Sequence, residues 1–136
     1  MGINVTGINH VIVAVEDLEA GIETFGETWG LELDHRSEVP EMGIKAAYFN
    51  VGDAILELVT PYDDSESNLL RKQLDRRGEG LYMFCVRVDD MAAAIADLRA
   101  KGCTVTDPIV TDEVQEAFVS PRNAHGVRMQ LLQRLK

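Results

Sequence analysis

Apolar and polar positions alternate with two different periods along the first half of the chain. Residues 8–15 are almost entirely apolar, which is typical of a strand buried on both faces. Residues 18–29 then place apolar side chains at the spacing of one helix face, and Gly30 follows as a C-terminal stop. We expect three further strands in this half, the last two joined by a hairpin turn, at about residues 31–37, 44–51 and 54–60.

The same pattern returns in the second half of the chain. Residues 81–95 repeat residues 8–22 at an offset of 73 positions (83 − 10), and residues 127–132 repeat residues 54–59 at the same offset. Two separate segments with one offset indicate a duplicated unit. The repeat predicts a strand, a helix and three strands, at about residues 81–88, 91–101, 103–106, 114–120 and 126–132.

Each copy therefore has the order βαβββ, and we predict an α+β fold. The two modules span about residues 6–60 and 81–136. Between them, residues 61–80 form a connector with a polar turn and a helix from about Glu66 to Arg77. At 136 residues the chain has the length of one domain, so we expect residues 1–136 to form a single one.

Composition and charge narrow the classes of function. Hydrophobic residues make up 46% of the chain and charged residues 26%, as in ordinary globular proteins. The formal net charge of −10 argues against nucleic-acid binding, which needs a basic face. The chain has neither an apolar run long enough to cross a membrane nor a signal peptide, so we expect a cytoplasmic protein without a membrane partner. Cys85 and Cys103 have no metal-site spacing and are interpreted as reduced core thiols.

A basic cluster stands out in this acidic chain, at residues 71–72 and 76–77. Positions 72 and 76 share one helix face, so two cations there can meet a phosphate. The alternative, which we favour, is a solvated helix face whose cations pair with Glu66 and Asp75.

Six short segments, spread over nearly the whole chain, carry a resemblance to known proteins: residues 8–15, 38–43, 56–61, 78–81, 88–90 and 126–127. Together with the two modules they resemble the vicinal oxygen chelate (glyoxalase/bleomycin-resistance) superfamily, and within it the methylmalonyl-CoA epimerase family. The resemblance implies a sheet-lined cup, a homodimer and a small-molecule substrate, which for this family is an acyl-CoA.

The resemblance also implies a divalent metal (cobalt, manganese, zinc or nickel) held by two strand residues from each module. His10 and Glu57 match the family pattern, whereas Met83 stands in place of a histidine and Gln130 in place of a glutamate. A thioether does not replace imidazole for such metals, and the amide of Gln130 offers an oxygen without charge. We therefore predict a weakened site of His10, Glu57 and Gln130. The alternative is a metal-free polar pocket in which His10 and Glu57 hydrogen-bond each other.

Proton-transfer chemistry is the activity that the resemblance implies. Glu41, in the segment Glu41-Met42-Gly43, matches the catalytic base of the family. The second base of the family falls on Gln130, which cannot accept a proton, so His10, Glu57 or Tyr82 would have to act instead. We therefore predict Glu41 and His10 as catalytic residues, with Tyr82, Met83 and His125 contacting the substrate.

Three functions remain open at this point. The leading one is an epimerase-like enzyme that abstracts a proton from a small carbonyl acid or its acyl-CoA ester. The second is a metal-independent isomerase, dehydratase or cyclase on another metabolite, so that the enzyme class is isomerase or lyase. The third is a non-enzymatic protein that sequesters a small molecule, and the two changed ligand positions favour both rivals.

Overall fold

The structure, a computed structural model, describes residues 2–136. Both predicted βαβββ orders are present, and the α+β fold is confirmed. The helices are α1 (Leu18–Ile22), which continues as a π-helical turn over Glu23–Thr28, α2 (Leu69–Arg77) and α3 (Met91–Ala100). The strands are β1 (Val5–Ala14), β2 (Glu32–Val39), β3 (Ile44–Val51), β4 (Ala54–Pro61), β5 (Gly80–Val88), β6 (Ile109–Val110), β7 (Val114–Val119) and β8 (Met129–Arg134).

The chain divides into two compact units. The first unit is Val11–Tyr82. The second unit consists of Met83–Lys136 and the described residues up to His10. The prediction that residues 1–136 form one domain stays a prediction.

In the first unit, the strands run in the order β2-β3-β4, followed by residues 11–14 of β1, with β2, β3 and β4 paired antiparallel. Phe49 on β3 and Leu58 on β4 are fully buried and pack with Leu18 of α1. α1 begins at Leu18 because the carboxylate of Asp17 accepts a hydrogen bond from the amide of Ala20, 3.1 Å away. The helical segment ends before Gly30, whose φ of 76° is in the left-handed region.

In the second unit, the strand order is β5-β8-β7-β6, with β5 parallel to β8 and β7 antiparallel to it. Asp90 caps α3 as Asp17 caps α1, through the amide of Ala93 at 3.0 Å. α3 buries Met91 and Ile95 against one face of these strands. The two caps occupy equivalent positions of the repeat, so the duplication extends to helix starts.

Three predicted boundaries are wrong. α2 begins at Leu69 rather than Glu66, because the side chain of Asn68 is the residue that caps it. The strand expected at 103–106 contributes a single bridge at Val105, and the short strand β6 lies further along the chain. The last strand begins at Met129 rather than near 126, because a 3-10 turn over Pro121–Ala124 precedes it.

Two other predictions can be compared with the structure. Cys85 is buried, Cys103 is half-buried against the second unit's core, and both are free thiols. Within the described residues, no helix is both long enough and apolar enough to span a membrane.

Asn68 connects α2 to the turn before β3. Its Oδ1 accepts a hydrogen bond from the amide of Arg71 at 2.9 Å, and its Nδ2 donates to the carbonyl oxygen of Gly43 at 2.8 Å. Gly43 has a φ of 72°, and a Cβ there would lie 2.8 Å from the Asn68 amide nitrogen. Asn68 is only 5% exposed. One buried amide therefore fixes both a helix start and a turn.

Asn68→Ala removes the cap of α2 and the donor to Gly43. Loss of a helix cap costs about 0.5–2 kcal/mol, and loss of a buried hydrogen bond adds about 1 kcal/mol. We expect the free energy of unfolding, measured by urea denaturation, to fall by about 1–3 kcal/mol. Asn50→Ala is the control, because Asn50 is exposed and its side chain bonds only surface carboxylates. Equal losses in the two variants would contradict this role of Asn68.

Candidate functional site

A polar cluster lies on the first unit's strands, on the face opposite to its core. The register of β3 and β4 places Tyr48 directly across from Glu57. The Tyr48 hydroxyl lies 3.0 Å from Oγ of Ser37, and the imidazole of His35 stacks on the phenol ring with ring centres 4.3 Å apart. Because neighbouring Phe49 and Leu58 face the core, alternation along the strands turns Tyr48 and Glu57 to the other side.

Burial is the main cause that raises the pKa of Tyr48 above its usual value. The hydrogen bond with Ser37 lowers this pKa in part, and the negative charge of Glu57 raises it further. Tyr48 therefore stays a neutral hydrogen-bond donor well beyond neutral pH.

Glu41 lies in the first unit, on a 3-10 turn over Pro40–Met42 between β2 and β3. Its side chain is exposed. The turn closes through a hydrogen bond from the Gly43 amide to the carbonyl oxygen of Pro40 at 3.0 Å. The Gly43 carbonyl oxygen accepts hydrogen bonds from Asn68 and from the Tyr62 amide. The carboxylate of Glu41 is thus accessible, while three hydrogen bonds at Gly43 hold the backbone of the turn.

His10 and Gln130 come together within the second unit. Nδ1 of His10 lies 2.7 Å from Oδ1 of the buried Asn9, and the side chain of Gln130 hydrogen-bonds the same imidazole. Burial lowers the pKa of His10, and the bond with Gln130 offsets part of this effect. The imidazole is therefore neutral at pH 7.

Gln130 has a second partner that sequence analysis did not find. Its Nε2 donates a short hydrogen bond to the carboxylate of Glu116 on β7. Phe118 is the residue paired with Gln130 in the β7–β8 register, so Glu116, two positions away, shares its face. Gln130 is only 4% exposed. A connected polar network thus runs from Asn9 through His10 and Gln130 to Glu116.

The predicted substrate-contacting residues lie in three places. Met83 shares a strand face with Cys85, the residue paired with Gln130, and lines a cavity of about 280 Å³ in the second unit. Phe118, Met129 and Arg128 line the same cavity. His125 is exposed and has a φ of 56°, directly after the 3-10 turn that precedes β8. Tyr82 is half-buried on β5 in the first unit.

The structure shows the ion-pair partners of Arg71 in the basic cluster of α2. Arg71 pairs with Asp75 at 2.9 Å, as predicted, but its other partner is Glu16 at 2.8 Å rather than Glu66. The Arg71 guanidinium is thus bound by two carboxylates, which agrees with the solvated helix face favoured above.

Comparison with known proteins assigns the family. A family profile described as "Glyoxalase-like domain" matches residues 8–131. The chain belongs to the glyoxalase-like domain family.

Several relatives of this glyoxalase-like chain are methylmalonyl-CoA epimerases. The mitochondrial enzyme of Mus musculus is 28% identical, with 93% of this chain and 72% of that protein covered. The crystal structure of the Mycobacterium tuberculosis epimerase is 31% identical, with 97% and 90% of the two chains covered and a TM-score of 0.84. A Streptomyces coelicolor epimerase variant in complex with 2-nitronate-propionyl-CoA is 27% identical, with 98% and 100% covered and a TM-score of 0.82. The resemblance predicted from the sequence is confirmed.

Whether this chain can hold a divalent cation depends on which donor atoms its side chains offer. Within residues 2–136, no group of three or more His, Cys, Asp or Glu side chains could hold a metal ion. His10 and Gln130 nevertheless offer an imidazole nitrogen and an amide oxygen as donor types, and both types suit divalent cations. The residues of the second unit therefore fit a cation in kind, with fewer charged ligands than a dedicated site has.

Sequence reasoning missed Tyr48 and Glu116. Each is a polar residue beside apolar ones in a strand, and each faces away from its unit's core. The available signal was that Tyr48 and Glu116 stand next to the core-facing Phe49 and Ala117, which puts them on the opposite strand face. Which side chains they meet there depends on strand register, which the sequence does not show.

Tyr48 yields a prediction about pH. Its raised pKa means that folding favours the neutral phenol, so this contribution to stability is present below about pH 10 and is lost as pH rises through the folded pKa. Glu57→Gln should lower the pKa of Tyr48, and Ser37→Ala should raise it, as measured by ultraviolet titration of the phenol. Glu27→Gln is the control for removing a charge elsewhere in the first unit. An unchanged pKa in Glu57→Gln would show that the two side chains do not interact.

Proposed function

We propose that this chain is an epimerase-like isomerase that abstracts a proton beside the thioester carbonyl of a small acyl-CoA ester. The observation that carries the proposal is the match to methylmalonyl-CoA epimerases over nearly the full length of the chain, at 31% identity to the Mycobacterium tuberculosis enzyme. The Streptomyces coelicolor relative in complex with 2-nitronate-propionyl-CoA supports an acyl-CoA as the class of substrate.

Glu41 is proposed as the base that removes this proton. A general base must reach the carbon and keep a fixed position while the proton moves. Its exposed carboxylate on a turn held by Gly43 and Asn68 supports this role. Protonation of Glu41 and formation of the enolate then balance the step, since the carbon–hydrogen electron pair moves towards the thioester oxygen.

Epimerisation also needs a group that returns a proton to the opposite face of the enolate. Gln130 cannot do so because a carboxamide neither gives up nor takes up a proton near pH 7. We assign this role to His10, which returns a proton only from its protonated form; burial lowers its pKa, so the imidazolium gives up that proton readily. Glu57 and Tyr82 are the remaining candidates from the sequence.

Tyr82, Met83 and His125 are proposed substrate contacts. The cavity beside Met83 supports this proposal for that residue, because Phe118 and Met129 give it apolar walls and Arg128 adds a cation. Such a combination suits an acyl group that carries a negative charge.

A divalent cation, when bound, would be held by His10 and Gln130, and it would polarise the carbonyl oxygen of the substrate as a Lewis acid. Glu57 lies on β4 in the first unit, and its predicted share in this site stays a prediction from the sequence. The homodimer and the cytoplasmic location also stay predictions, the former from the family resemblance.

Glu41→Gln tests the base. The change keeps the size and hydrogen bonding of the side chain but removes its capacity to accept a proton, so we expect turnover to fall by about 10²–10⁴-fold. Because the site is exposed, stability should shift by less than about 1 kcal/mol. The assay is deuterium incorporation from heavy water into 2-substituted acyl-CoA esters.

Glu38→Gln is the matched control for this experiment. Glu38 is exposed on β2, opposite Lys45 in the β2–β3 register, and it does not lie on the Glu41 turn. Activity of Glu41→Gln within about threefold of the parent would move the base to His10 or Glu57. Micromolar binding of a ligand that no assay turns over would favour the sequestering protein instead.

Met83→His tests the cation site. The substitution adds an imidazole on the strand face that Cys85 shares with Gln130, so affinity for cobalt or zinc should rise by about tenfold or more, ~1.4 kcal/mol. Calorimetry measures this change, and Met83→Leu is the control that alters the side chain without adding a ligand. Unchanged affinity would place Met83 away from the ligands, and no metal uptake by either form would remove the cation from the proposed function.

A further inference from the structure

The first unit carries all of the chain's excess negative charge. Residues 11–82 contain 16 acidic residues and six Lys or Arg residues, which equals the formal net charge of the whole chain (6 − 16 = −10). Four of those six cations lie on α2, within seven positions of the chain. An anionic substrate is therefore repelled by most of this unit and attracted at one helix.

The cations of α2 differ in whether a carboxylate already pairs with them. Arg71 contacts Glu16 at 2.8 Å and Asp75 at 2.9 Å, so its charge is neutralised. Lys72 and Arg76 are exposed, and among residues 2–136 neither forms an ion pair with a carboxylate. These two side chains keep their charge available for a ligand.

Lys72 and Arg76 share one face of α2 with an exposed apolar side chain. Positions 69, 72 and 76 are spaced by three and four residues, so their side chains are neighbours on the helix surface. Leu69 is 74% exposed, whereas the buried Leu70 and Leu74 lie on the opposite side of the helix. This exposed stripe, Leu69, Lys72 and Arg76, therefore offers two cations beside an apolar surface.

α2 is also joined to the turn that carries the proposed base. Asn68, at the start of the helix, donates a hydrogen bond to the carbonyl oxygen of Gly43 at 2.8 Å, and Gly43 follows Glu41 by two positions. At a rise of about 1.5 Å per residue, Lys72 and Arg76 lie about 6 and about 12 Å along the helix axis from Asn68. The pantetheine arm of an acyl-CoA separates its thioester from its phosphates, so a phosphate site belongs at a distance from the base.

We propose that the exposed stripe of α2 binds the nucleotide phosphates of an acyl-CoA while Glu41 meets its acyl group. Lys72 and Arg76 donate charge-assisted hydrogen bonds to phosphate oxygens, and Leu69 gives the ligand an apolar contact. The inference rests on the proposed function, because it places a second part of the same substrate. All of the residues that it uses lie in the first unit.

The test is calorimetry of the full-length protein with CoA and with its nucleotide part, adenosine 3′,5′-bisphosphate. In Lys72→Gln combined with Arg76→Gln, affinity for both should fall by about tenfold, because two cations that face phosphates are lost. Added salt should reduce the difference between this double variant and the parent, since exposed charges are screened. Circular dichroism checks that the double variant is folded.

Arg134→Gln combined with Lys136→Gln is the matched control. It removes one Arg and one Lys at exposed positions of the second unit. Unchanged affinity in the folded α2 double variant, or an equal loss in the control, would overturn the proposal. Inorganic pyrophosphate that binds the parent as tightly as the nucleotide does would overturn the assignment to CoA.

A second measurement needs no substitution. The parent should bind CoA more tightly than pantetheine, which has no phosphates, and added salt should narrow this difference. Equal affinity for the two compounds, or no binding of CoA at all, would reject the proposal.

Kinetics separate the inference from the proposed function. On an acyl-CoA ester, the α2 double variant should raise KM with little change in kcat, and kcat/KM for the matching acyl-pantetheine thioester should be unchanged. Weakened nucleotide binding without turnover of any ester would keep the phosphate site and remove the proposed function. Turnover of an acyl-CoA with KM unchanged in the double variant would keep the function and remove the phosphate site.

Discussion

Alternation of side chains along paired strands is the constraint on which each unit depends. In the first unit Phe49 and Leu58 must reach the core, so Tyr48 and Glu57, their immediate neighbours, must face the other way. In the second unit Leu131 faces the core, and Gln130 faces away from it. A shift of one residue in either register would bury the polar groups in the core and expose the apolar ones. The same hydrophobic burial that stabilises each unit therefore fixes where its polar chemistry lies.

The repeat in the sequence made most of the fold predictable. The starts of α1 and α3 and seven of the eight strands fall where the pattern put them, to within a few residues. The start of α2 was missed although its cap is local, since the Asn68 side chain accepts a hydrogen bond from the amide of Arg71 three residues on. Glu41 and His10 were identified through a family resemblance, whereas Tyr48 and Glu116 depend on which strand residues stand side by side. Pairing of this kind is a tertiary property, and a single sequence does not state it.

The two proposed proton-transfer groups have opposite environments. Glu41 is exposed on a turn, and its position is secured by backbone hydrogen bonds to Gly43. His10 is largely enclosed and neutral, and its position is secured by two amide side chains, Asn9 and Gln130. Burial destabilises the protonated imidazole, so a proton carried by His10 is given up readily.

Gln130 shows how a neutral residue can keep part of the role of a charged one. An amide cannot accept a proton, so it cannot act as a base itself. Its nitrogen donates a hydrogen bond to the carboxylate of Glu116, so a charged group holds the orientation of the amide. The negative charge is then that of Glu116 on β7, one strand further from the imidazole than position 130 on β8. Coulomb attraction falls with distance, so the imidazole is oriented without strong stabilisation of its protonated form. This agrees with a pKa of His10 that lies below its usual value, since burial outweighs the hydrogen bond with Gln130.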